Sequence, residues 1–515
     1  MPEKLPTDHA IHHRLRARRL GIETQQEAII LMRRDCPVCR SEGFSAHARV
    51  RVSHGDRSVI ATLFQVTSDL LQENEAALSE SAWRRLRLQE GDLLVVSHPA
   101  PVRSMSPVRG KIYGQRFRSE DLVEIVADIA AGRYSDIDLS AFITACSAQE
   151  LDHDETVALT GAMVDVGDRL RWASQPVADK HSVGGLPGNR TTPIVVAIVA
   201  ACGVTIPKTS SRAITSPSGT ADAMETLTPV TLDLAAMRRV VEAEGGCVVW
   251  GGAVQLSPVD DMLIRVERAL DIDSEGQLIA SVLSKKIAAG ASHLVVDMPV
   301  GPTAKVRGSA AAATLSQRLT EVAGVFGLQC RIITGDGRQP VGRCIGPALE
   351  AHDVLRVLRN DGDAPDDLRQ RALELAGALL ELVDRTDAGE GVALARSVLA
   401  DGRAWRKFQA ICEAQGGMRK PPVAPQTKPV LARQSGAVMA IDNRRIAKIA
   451  KLAGAPEDKT AGMELHVRLS DTVAVGEPLY TIHAESIGEL AYAEEYTAAN
   501  PDVIRIGDNG QHAAG

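Results

Sequence analysis

Hydrophobic and polar positions alternate in short runs along the first hundred residues. The runs "ARVRV", "SVIATLFQV" and "GDLLVVSH" lie between residues 48 and 98, around a stretch of helical periodicity, "SESAWRRLRL". Strict alternation is typical of half-buried strands. A Pro-rich polar segment, "HPAPVRSMSPVRG", follows them. The pattern predicts an N-terminal β-rich domain over residues 1–105.

The period lengthens to that of a helix between residues 119 and 170. It is carried by "SEDLVEIVADIAAGRY", "DIDLSAFITACSA" and "DHDETVALTGAMVDVGDRL". The first and third of these begin with Ser or Asp followed by acidic residues, which suits helix N-caps and the helix dipole. We predict a helical domain over residues 106–175. A second helical stretch, residues 257–289, is predicted to be part of the same domain.

Glycine-punctuated apolar runs of strand and helix type fill residues 176–256 and 290–425, among them "ASHLVVDMPVG" and "GLQCRIITGDG". This style is typical of an α/β domain with a mostly parallel sheet. After a linker, "RKPPVAPQTKP", residues 430–515 mix strands with one helix. The predicted fold class is α/β: a small helical domain, a larger α/β domain with a mostly parallel sheet, an extra N-terminal β-rich domain and a C-terminal α+β domain.

Composition excludes several classes of partner. The chain of 515 residues is 3% aromatic and carries a formal net charge of −7. It has no cationic surplus for nucleic acid or membrane surfaces, and few aromatic side chains to stack on bases. No apolar run approaches the roughly 20 residues of a membrane helix, and the N-terminus has no signal-peptide core. We expect a cytoplasmic protein that binds neither nucleic acid nor membrane.

Eight cysteines are too sparse for a disulfide framework. Cys36 and Cys39 form a lone CxxC on a basic segment, which is weak grounds for a metal or redox site. Ordinary reduced thiols are the favoured interpretation, and we expect no metal.

A glycine-rich loop in "DKHSVGGLPGNRTTPIVVAIVAACG" raises the question of anion binding. We call residues 180–192 the lysine loop. Its lysine precedes the glycines, whereas in a P-loop the lysine follows the last glycine. Thr192 is predicted as N-cap and Pro193 as the first residue of a helix that ends at Gly203. Because helix N-termini present unpaired N–H groups, this loop, with Lys180 and Ser182, could bind an anion. The alternative is a tight strand-to-helix turn with a surface lysine.

A second loop, in "IPKTSSRAITSPSGTADAMETL", repeats the arrangement. We call residues 210–220 the serine loop, because its hydroxyl-bearing residues are Ser210, Ser211, Thr215, Ser216, Ser218 and Thr220. Such loops are often merely solvated. Two helix N-termini separated by one strand nevertheless favour a shared anion site, since their dipoles could converge.

Four further residues stand out. Ser281 and Lys285 are four residues apart on a predicted helix at about 275–289, so they share one face. Asp273 lies at the start of that helix. Lys305 follows a predicted strand and a Gly-Pro turn, and ligands usually bind at the carboxyl ends of parallel strands. The alternative is that Asp273 is only an N-cap and that Lys285 and Lys286 are solvated.

Taken together, "DKHSVGG", "SSRAITSPSGTADAMETL", "LIASVLSKKIAAGASHLVVDMPVG" and "GDGRQPVGRCIGPALE" resemble the thymidine and pyrimidine-nucleoside phosphorylase family, over about residues 106–510. With the preceding domain, the chain looks like the long, type-2 branch, which includes AMP phosphorylases. The resemblance implies reversible phosphorolysis, in which inorganic phosphate attacks the anomeric carbon of a nucleoside or nucleoside monophosphate while the base departs. It also implies a homodimer or higher homo-oligomer and a cleft that closes on both substrates. Phosphate is a co-substrate, and no cofactor is implied.

The family's motifs imply roles for individual residues. The implied phosphate-binding residues are Lys180, Ser182, Thr192, Ser210 and Thr220. The implied catalytic residues are Asp273, as proton donor, and His181, beside the sugar–base junction. The implied substrate-binding residues are Gly185, Ser211, Arg212, Ala213, Ile214, Thr215, Ser216, Ser281, Lys285 and Lys305, of which Ser281 and Lys285 would hold a pyrimidine ring. An aspartic acid can protonate the leaving base only if burial raises its pKa; otherwise a lysine or hydroxyl must stabilise the anion.

The chain departs from the short branch of the family. It has "SRAITSPSGT" in place of "GRGLGHTGGT", and "GPTAKV" in place of "GSGAFM", which puts Lys305 where an aromatic residue would stand. The arginine expected before "VTATVDS" is out of register with Arg265 and Arg268. A second cation near the sugar would suit a 5′-phosphate.

Several functions therefore stay open. The first is thymidine phosphorolysis, giving thymine and 2-deoxyribose 1-phosphate. The second is AMP-type phosphorolysis of a nucleoside 5′-monophosphate, giving ribose 1,5-bisphosphate, and the third is non-catalytic nucleotide binding. The related anthranilate phosphoribosyltransferase would need a diphosphate–metal site, and no acidic metal motif lies beside Lys180.

Overall fold

The computed structural model describes residues 14–24, 27–213, 216–272 and 274–507. The chain forms two compact units. The first comprises the residues up to Arg109 together with Ala127–Leu139, and the second comprises Gly110–Val126 together with the residues from Ser140 onward. Among the described residues, no helix is long and apolar enough to cross a membrane.

The strands, in chain order, are β1 (Arg14–Arg19), β2 (Ile29–Arg33), β3 (Arg49–His54), β4 (Arg57–Val66), β5 (Glu75–Leu78), β6 (Leu93–Ser97), β7 (Ala178–Ser182), β8 (Ile206–Ser210), β9 (Gly246–Trp250), β10 (His293–Val300), β11 (Gln329–Asp336), β12 (Cys344–Ile345), β13 (Gln426–Leu431), β14 (Gly436–Ile441), β15 (Gly462–Leu465), β16 (Thr472–Val473), β17 (Pro478–Ala484) and β18 (Ile504–Gly507).

The helices are α1 (Pro37–Glu42), α2 (Glu80–Leu86), α3 (Met105–Ile112), α4 (Ser119–Ala130), α5 (Asp136–Ala148), α6 (His153–Asp165), α7 (Thr191–Ala201), α8 (Thr220–Glu225), α9 (Leu234–Glu244), α10 (Pro258–Leu270), α11 (Glu275–Ala288), α12 (Ser309–Val325), α13 (Pro347–Arg359), α14 (Asp366–Leu382), α15 (Gly391–Ala400), α16 (Arg403–Ala414), α17 (Asn443–Leu452) and α18 (Ile487–Ala499).

The first unit contains a closed six-stranded barrel in the order β1-β5-β2-β4-β3-β6. Alternate residues point into its core, as Leu15 and Ala17 do from β1. Closure leaves no sheet edge unpaired. The predicted thiols, Cys36 and Cys39, are buried and free, and the Cys36 sulfur accepts the Cys39 N–H at 3.3 Å across the start of α1.

A parallel layer forms the centre of the second unit. Strands β11, β10 and β7 pair in parallel, as do β8 and β9, and a single parallel bridge between Val177 and Thr205 links the two groups. Helix α7 is apolar on all sides and buried over Thr191–Ala200, which is typical of a central helix. It packs against α13, α14, α15 and α16. The end of β7 therefore lies beside the N-terminus of α7, where Lys180 contacts Thr191.

Helices and a terminal α+β region complete the second unit. Helix α11 packs on α6, whose N-cap is the predicted Asp152, in a reciprocal capping box with Glu155. The terminal strands form two antiparallel sheets, β12-β15-β17-β13 and β16-β14-β18, accompanied by α17 and α18. The predicted fold class, with helical, parallel α/β, N-terminal β-rich and C-terminal α+β parts, is confirmed.

Candidate active site

Lys180 lies on β7, at the start of the lysine loop, and is completely buried. Its ammonium donates to Thr191 Oγ1 at 2.8 Å and to Thr192 Oγ1 at 3.5 Å, and lies 3.6 Å from Asp297 Oδ2. Burial lowers the pKa of Lys180 to about 8, although Asp297 opposes the shift. The alternative of a surface lysine is therefore wrong. Because the Lys180 ammonium is buried, little water screens its charge from groups in the loop.

The helix after the lysine loop begins earlier than predicted. Helix α7 starts at Thr191, its N-cap is Arg190, and no side chain caps it. Thr192 is thus not the N-cap: it lies in the first turn, and its hydroxyl contacts Lys180 instead of a backbone N–H. The helix ends as predicted, just before Gly203, whose φ is +79°.

Asp297 organises the loop from the neighbouring strand. It lies on β10 opposite Ser182 of β7 and accepts hydrogen bonds from Ser182 Oγ at 3.4 Å and Asn189 Nδ2 at 2.9 Å. Arg371 of α14 donates to its other oxygen at 3.0 Å. Burial alone would raise the pKa of Asp297, but Lys180 and Arg371 hold it below its usual value. The sequence interpretation missed this residue, although a lone Asp in the apolar run "LVVDMPV" was a signal.

Arg190 connects the two loops. Its guanidinium donates to Thr220 Oγ1 at 2.6 Å, to the Ser218 carbonyl at 3.0 Å and to Glu350 Oε2 at 2.7 Å. Burial raises the pKa of Glu350 to about 7, and Arg190 opposes that rise. Arg190, which the sequence interpretation did not single out, therefore links the starts of α7 and α8.

Ser210 is placed as an unpaired donor at the end of β8. Its hydroxyl is buried and makes no hydrogen bond to any described residue. Ser211, the next residue, is exposed, while Ser216 donates to the Ser218 carbonyl at 2.9 Å. A buried hydroxyl without a partner is costly unless a ligand satisfies it, which fits the implied role of Ser210.

Arg212 and Ala213 are held by acidic side chains of α8. Arg212 makes two hydrogen bonds of 2.7 Å to Glu225 and lies 4.8 Å above the Trp250 ring. The Ala213 N–H donates to Asp222 Oδ2 at 2.7 Å. These contacts engage the Arg212 charge and fix the start of the serine loop. Three implied site residues, Ile214, Thr215 and Asp273, lie outside the described residues.

Ser281 and Lys285 share one face of α11, as predicted. The Lys285 ammonium donates to Ser281 Oγ at 3.1 Å and to Asp260 Oδ2 of α10 at 2.6 Å. Asp260 is buried, whereas Ser281 and Lys285 are half-buried. Asp260, which the sequence interpretation missed, therefore holds the lysine in place while a polar face stays accessible.

His181 follows Lys180 on β7 and is half-buried. Burial lowers the pKa of His181 well below its usual value, and the positive charges of Lys286, Lys285, Lys208 and Lys180 lower it further. The imidazole is therefore within electrostatic range of lysines from β7, β8 and α11, and it is neutral at pH 7. A neutral imidazole can donate or accept a hydrogen bond, but it is not a cation.

A buried ion cluster lies below His181. The Lys286 ammonium is 2.9 Å from Asp179 Oδ2, and the Lys208 ammonium is 3.6 Å from Asp179 Oδ1. Burial lowers the pKa of Lys208 well below its usual value, although Asp179 opposes the shift. The alternative of a solvated Lys286 is wrong. Two buried lysines therefore share one carboxylate here.

Gly185 of the lysine loop packs against the backbone of Lys305. Gly185 has φ of +81°, and a Cβ on it would lie 2.5 Å from the Lys305 backbone nitrogen. The lysine loop therefore packs directly on the turn after β10, and only glycine fits that contact. Lys305 itself is half-buried.

Family models match most of the second unit. Residues 108–167 match the glycosyl transferase family helical bundle domain, residues 174–405 its a/b domain, and residues 437–500 the pyrimidine nucleoside phosphorylase C-terminal domain. Among solved structures, anthranilate phosphoribosyltransferase from Saccharomyces cerevisiae in complex with PRPP and Mg is similar in fold. Its TM-score is 0.51 at 16% identity, covering 61% of this chain and 98% of that chain.

Relatives match nearly the whole length. A protein of Polaromonas sp. (strain JS666) named "Putative thymidine phosphorylase" is 58% identical over 97% of this chain and 98% of its own. A protein of the same name from Chelativorans sp. (strain BNC1) is 60% identical over 96% of this chain and 97% of its own. On this likeness and the three matching domains, the chain belongs to the thymidine and pyrimidine-nucleoside phosphorylase family and is a pentosyltransferase.

Proposed function

We propose that the protein catalyses the reversible phosphorolysis of thymidine, giving thymine and 2-deoxyribose 1-phosphate. An oxygen of hydrogen phosphate forms a bond to the anomeric carbon while the carbon–nitrogen bond breaks, and its electron pair leaves with the base. The proton that phosphate loses is balanced by the proton that the base nitrogen gains. No water, metal or redox partner is needed to balance this reaction.

The observation that carries the proposal is the buried Lys180, with two threonine hydroxyls above it. Its charge, the N-terminus of α7 and the unpaired Ser210 hydroxyl favour an anion at one place. Arg190 joins this place to the N-terminus of α8 through Thr220. Fixed cations and dipoles of this kind hold phosphate in line with little reorganisation, and such positioning supplies much of the acceleration in transfer reactions.

The base side is proposed to lie at Ser281 and Lys285. A hydroxyl and an ammonium can hydrogen-bond the carbonyl groups of a pyrimidine, and the ammonium stabilises negative charge on the departing ring. Neutral His181, which follows Lys180 on β7, is proposed to hydrogen-bond the sugar or the base without repelling Lys285. The proton-donor role of Asp273 stays a prediction. The names of the relatives support thymidine as the substrate.

A nucleoside 5′-monophosphate is a second candidate substrate. The observation that favours it is Lys305, a half-buried lysine whose backbone packs against Gly185 of the lysine loop. A cation at the sugar end would attract a 5′-phosphate. In that case the product from AMP would be ribose 1,5-bisphosphate.

Release of free base separates these proposals. The purified protein is incubated with thymidine, uridine, AMP or CMP, with and without inorganic phosphate, and the base is measured by chromatography. We expect thymine only when phosphate is present. Absence of base from every substrate would favour non-catalytic nucleotide binding. Cleavage of a monophosphate in preference to thymidine, lost in Lys305→Ala, would favour the second candidate.

A further inference from the structure

A basic cavity lies behind the serine loop. It has a volume of about 210 Å³, and its lining includes Ala213 and Ser216 of that loop, Arg268 of α10, Lys451 of α17 and Glu457. We call it the basic cavity. It is smaller than the roughly 300–1,000 Å³ of pockets that hold drug-sized ligands. Its size therefore suits a small group rather than a whole nucleotide.

The charges of the basic cavity are not balanced. Arg268 and Lys451 both line it, and neither forms an ion pair or hydrogen bond with any residue in the described part of the chain. Burial lowers the pKa of Lys451, and the charges of Arg268 and Lys448 lower it further, against the effect of Glu457. Two cations that repel each other across one partly buried space are stabilised by an anion between them.

The basic cavity is coupled to the proposed phosphate site through the serine loop. Ser216 lines the cavity and donates to the Ser218 carbonyl at 2.9 Å. The same carbonyl accepts from Arg190, which also binds Thr220. On the other side, the Ala213 N–H is held by Asp222. A ligand in the cavity would therefore contact one face of a loop whose other contacts lead to the lysine loop.

We propose that the basic cavity is a second anion subsite, in which Arg268 and Lys451 bind a phosphate monoester beside the serine loop. Arginine supplies planar paired donors and lysine a point charge, and both suit phosphate oxygens. The monoester has two possible sources: the 5′-phosphate of a nucleotide substrate, which Arg268 and Lys451 would then hold instead of Lys305, or a separate sugar phosphate that binds beside the reacting nucleoside. One of the two experiments that follow, the measurement of initial rates, rests on the proposed phosphorolysis. The other, a binding titration, does not.

Calorimetric titration with ribose 5-phosphate tests the subsite directly. We expect the wild type to bind it, and Arg268→Gln and Lys451→Gln each to weaken binding by at least about tenfold, since each removes a charged hydrogen-bonding partner. Lys448→Gln is the matched control: it removes the same charge from an exposed position on the same helix, and should change the affinity less than about twofold. Thermal unfolding of each variant checks that it is folded.

Equal affinity in the wild type and in both cavity variants would overturn the proposal, as would equal weakening by Lys448→Gln. The source of the bound phosphate monoester is identified from initial rates that compare each nucleoside monophosphate with its nucleoside. The pairs are AMP with adenosine and dTMP with thymidine. A selective rise of KM for the monophosphates in the two cavity variants assigns the subsite to the substrate's own 5′-phosphate. Lost binding without that selectivity assigns it to a separate sugar phosphate. If the wild type cleaves no substrate, the proposed function fails, while the titration still decides the inference.

Discussion

Lys180 and Lys285 are both expected to face the reacting substrates, yet the fold holds them in opposite ways. Lys180 extends from a central strand, is completely buried, and contacts two threonines and Asp297. Lys285 lies on the surface of α11, and its side chain is 20% exposed beside Asp260. The difference matches the proposed ligands. A phosphate carries a full charge, so its site can be preorganised and dry, whereas a neutral base needs only hydrogen bonds from a more accessible donor.

The largest effect is expected from Lys180→Met, which removes the buried cation but keeps the length of the side chain. Asp297 would still be held by Arg371 and Asn189, so the fold should persist. We expect phosphorolysis to fall by about 10³-fold or more, as for the loss of a preorganised charge in other sites. The exposed Lys420→Met should have no effect. Activity within tenfold of the wild type would show that Lys180 is only structural.

Arg190→Met should have the next largest effect, because Arg190 is the side chain that ties the two loops together. We expect the KM for phosphate to rise by about 10²-fold as charge-assisted hydrogen bonds to Thr220 and Ser218 are lost. Glu350 would be left buried without its partner, which destabilises the fold by about 3–5 kcal/mol if it stays ionised. The double variant Arg190→Met/Glu350→Gln removes that charge. If its KM for phosphate returned to the wild-type value, the link between the loops would be unimportant.

Lys180 also predicts how phosphate binding depends on pH. Its folded pKa of about 8 lies below the usual value for lysine, because the cation is buried. The cation therefore persists below that pH and is lost as the pH rises through it. We expect the KM for phosphate to rise by up to about tenfold per pH unit above pH 8, with a smaller change in the KM for thymidine. A rise confined to the thymidine KM would contradict this.

Substitutions at two neighbouring glycines distinguish the effect of backbone strain from the effect of losing the close contact with Lys305. Gly184 and Gly185 both have positive φ, but a Cβ on Gly184 meets nothing within 4 Å, whereas one on Gly185 meets Lys305. Gly184→Ala therefore measures backbone strain alone, about 1–2 kcal/mol in thermal or denaturant unfolding. We expect Gly185→Ala to lose about tenfold more kcat/KM than Gly184→Ala, since the loop must shift. Equal losses would mean that the contact with Lys305 is unimportant.

Asp260→Asn should have the smallest effect and act on the other side of the site. The amide keeps the size of the side chain but loses the charge that holds Lys285. We expect the KM for thymidine to rise about fivefold, with the KM for phosphate unchanged, as a rough measure of one weakened charge-assisted contact. A matching rise in both KM values would mean that Asp260 supports the fold rather than the base-binding lysine.

The sequence predicted the elements that carry their own local signal. The alternation in residues 48–98 located barrel strands, and the spacing of Ser281 and Lys285 located one helix face. It did not predict β1, where four arginines in "RLRARR" obscure the alternation of Leu15 and Ala17. The cause is physical: strand pairing buries those two residues through partners far along the chain.

The site was predictable only where its residues are close together in the chain. The lysine loop and the serine loop were found from their glycines and hydroxyls. Asp297, Arg371 and Glu350 were missed because each comes from a separate strand or helix and meets the loops only after folding. Arg190 stood inside the quoted loop, but its role depends on Thr220, thirty residues away.

The central claim is that the buried lysine site holds one free phosphate as the nucleophile. The most direct test is phosphorolysis of thymidine with inorganic phosphate labelled with oxygen-18, followed by mass spectrometry of the sugar product. We predict a sugar 1-phosphate in which the bridging oxygen to the anomeric carbon carries the label, and no such product from Lys180→Met. An unlabelled oxygen at that carbon, derived from water, would contradict the account.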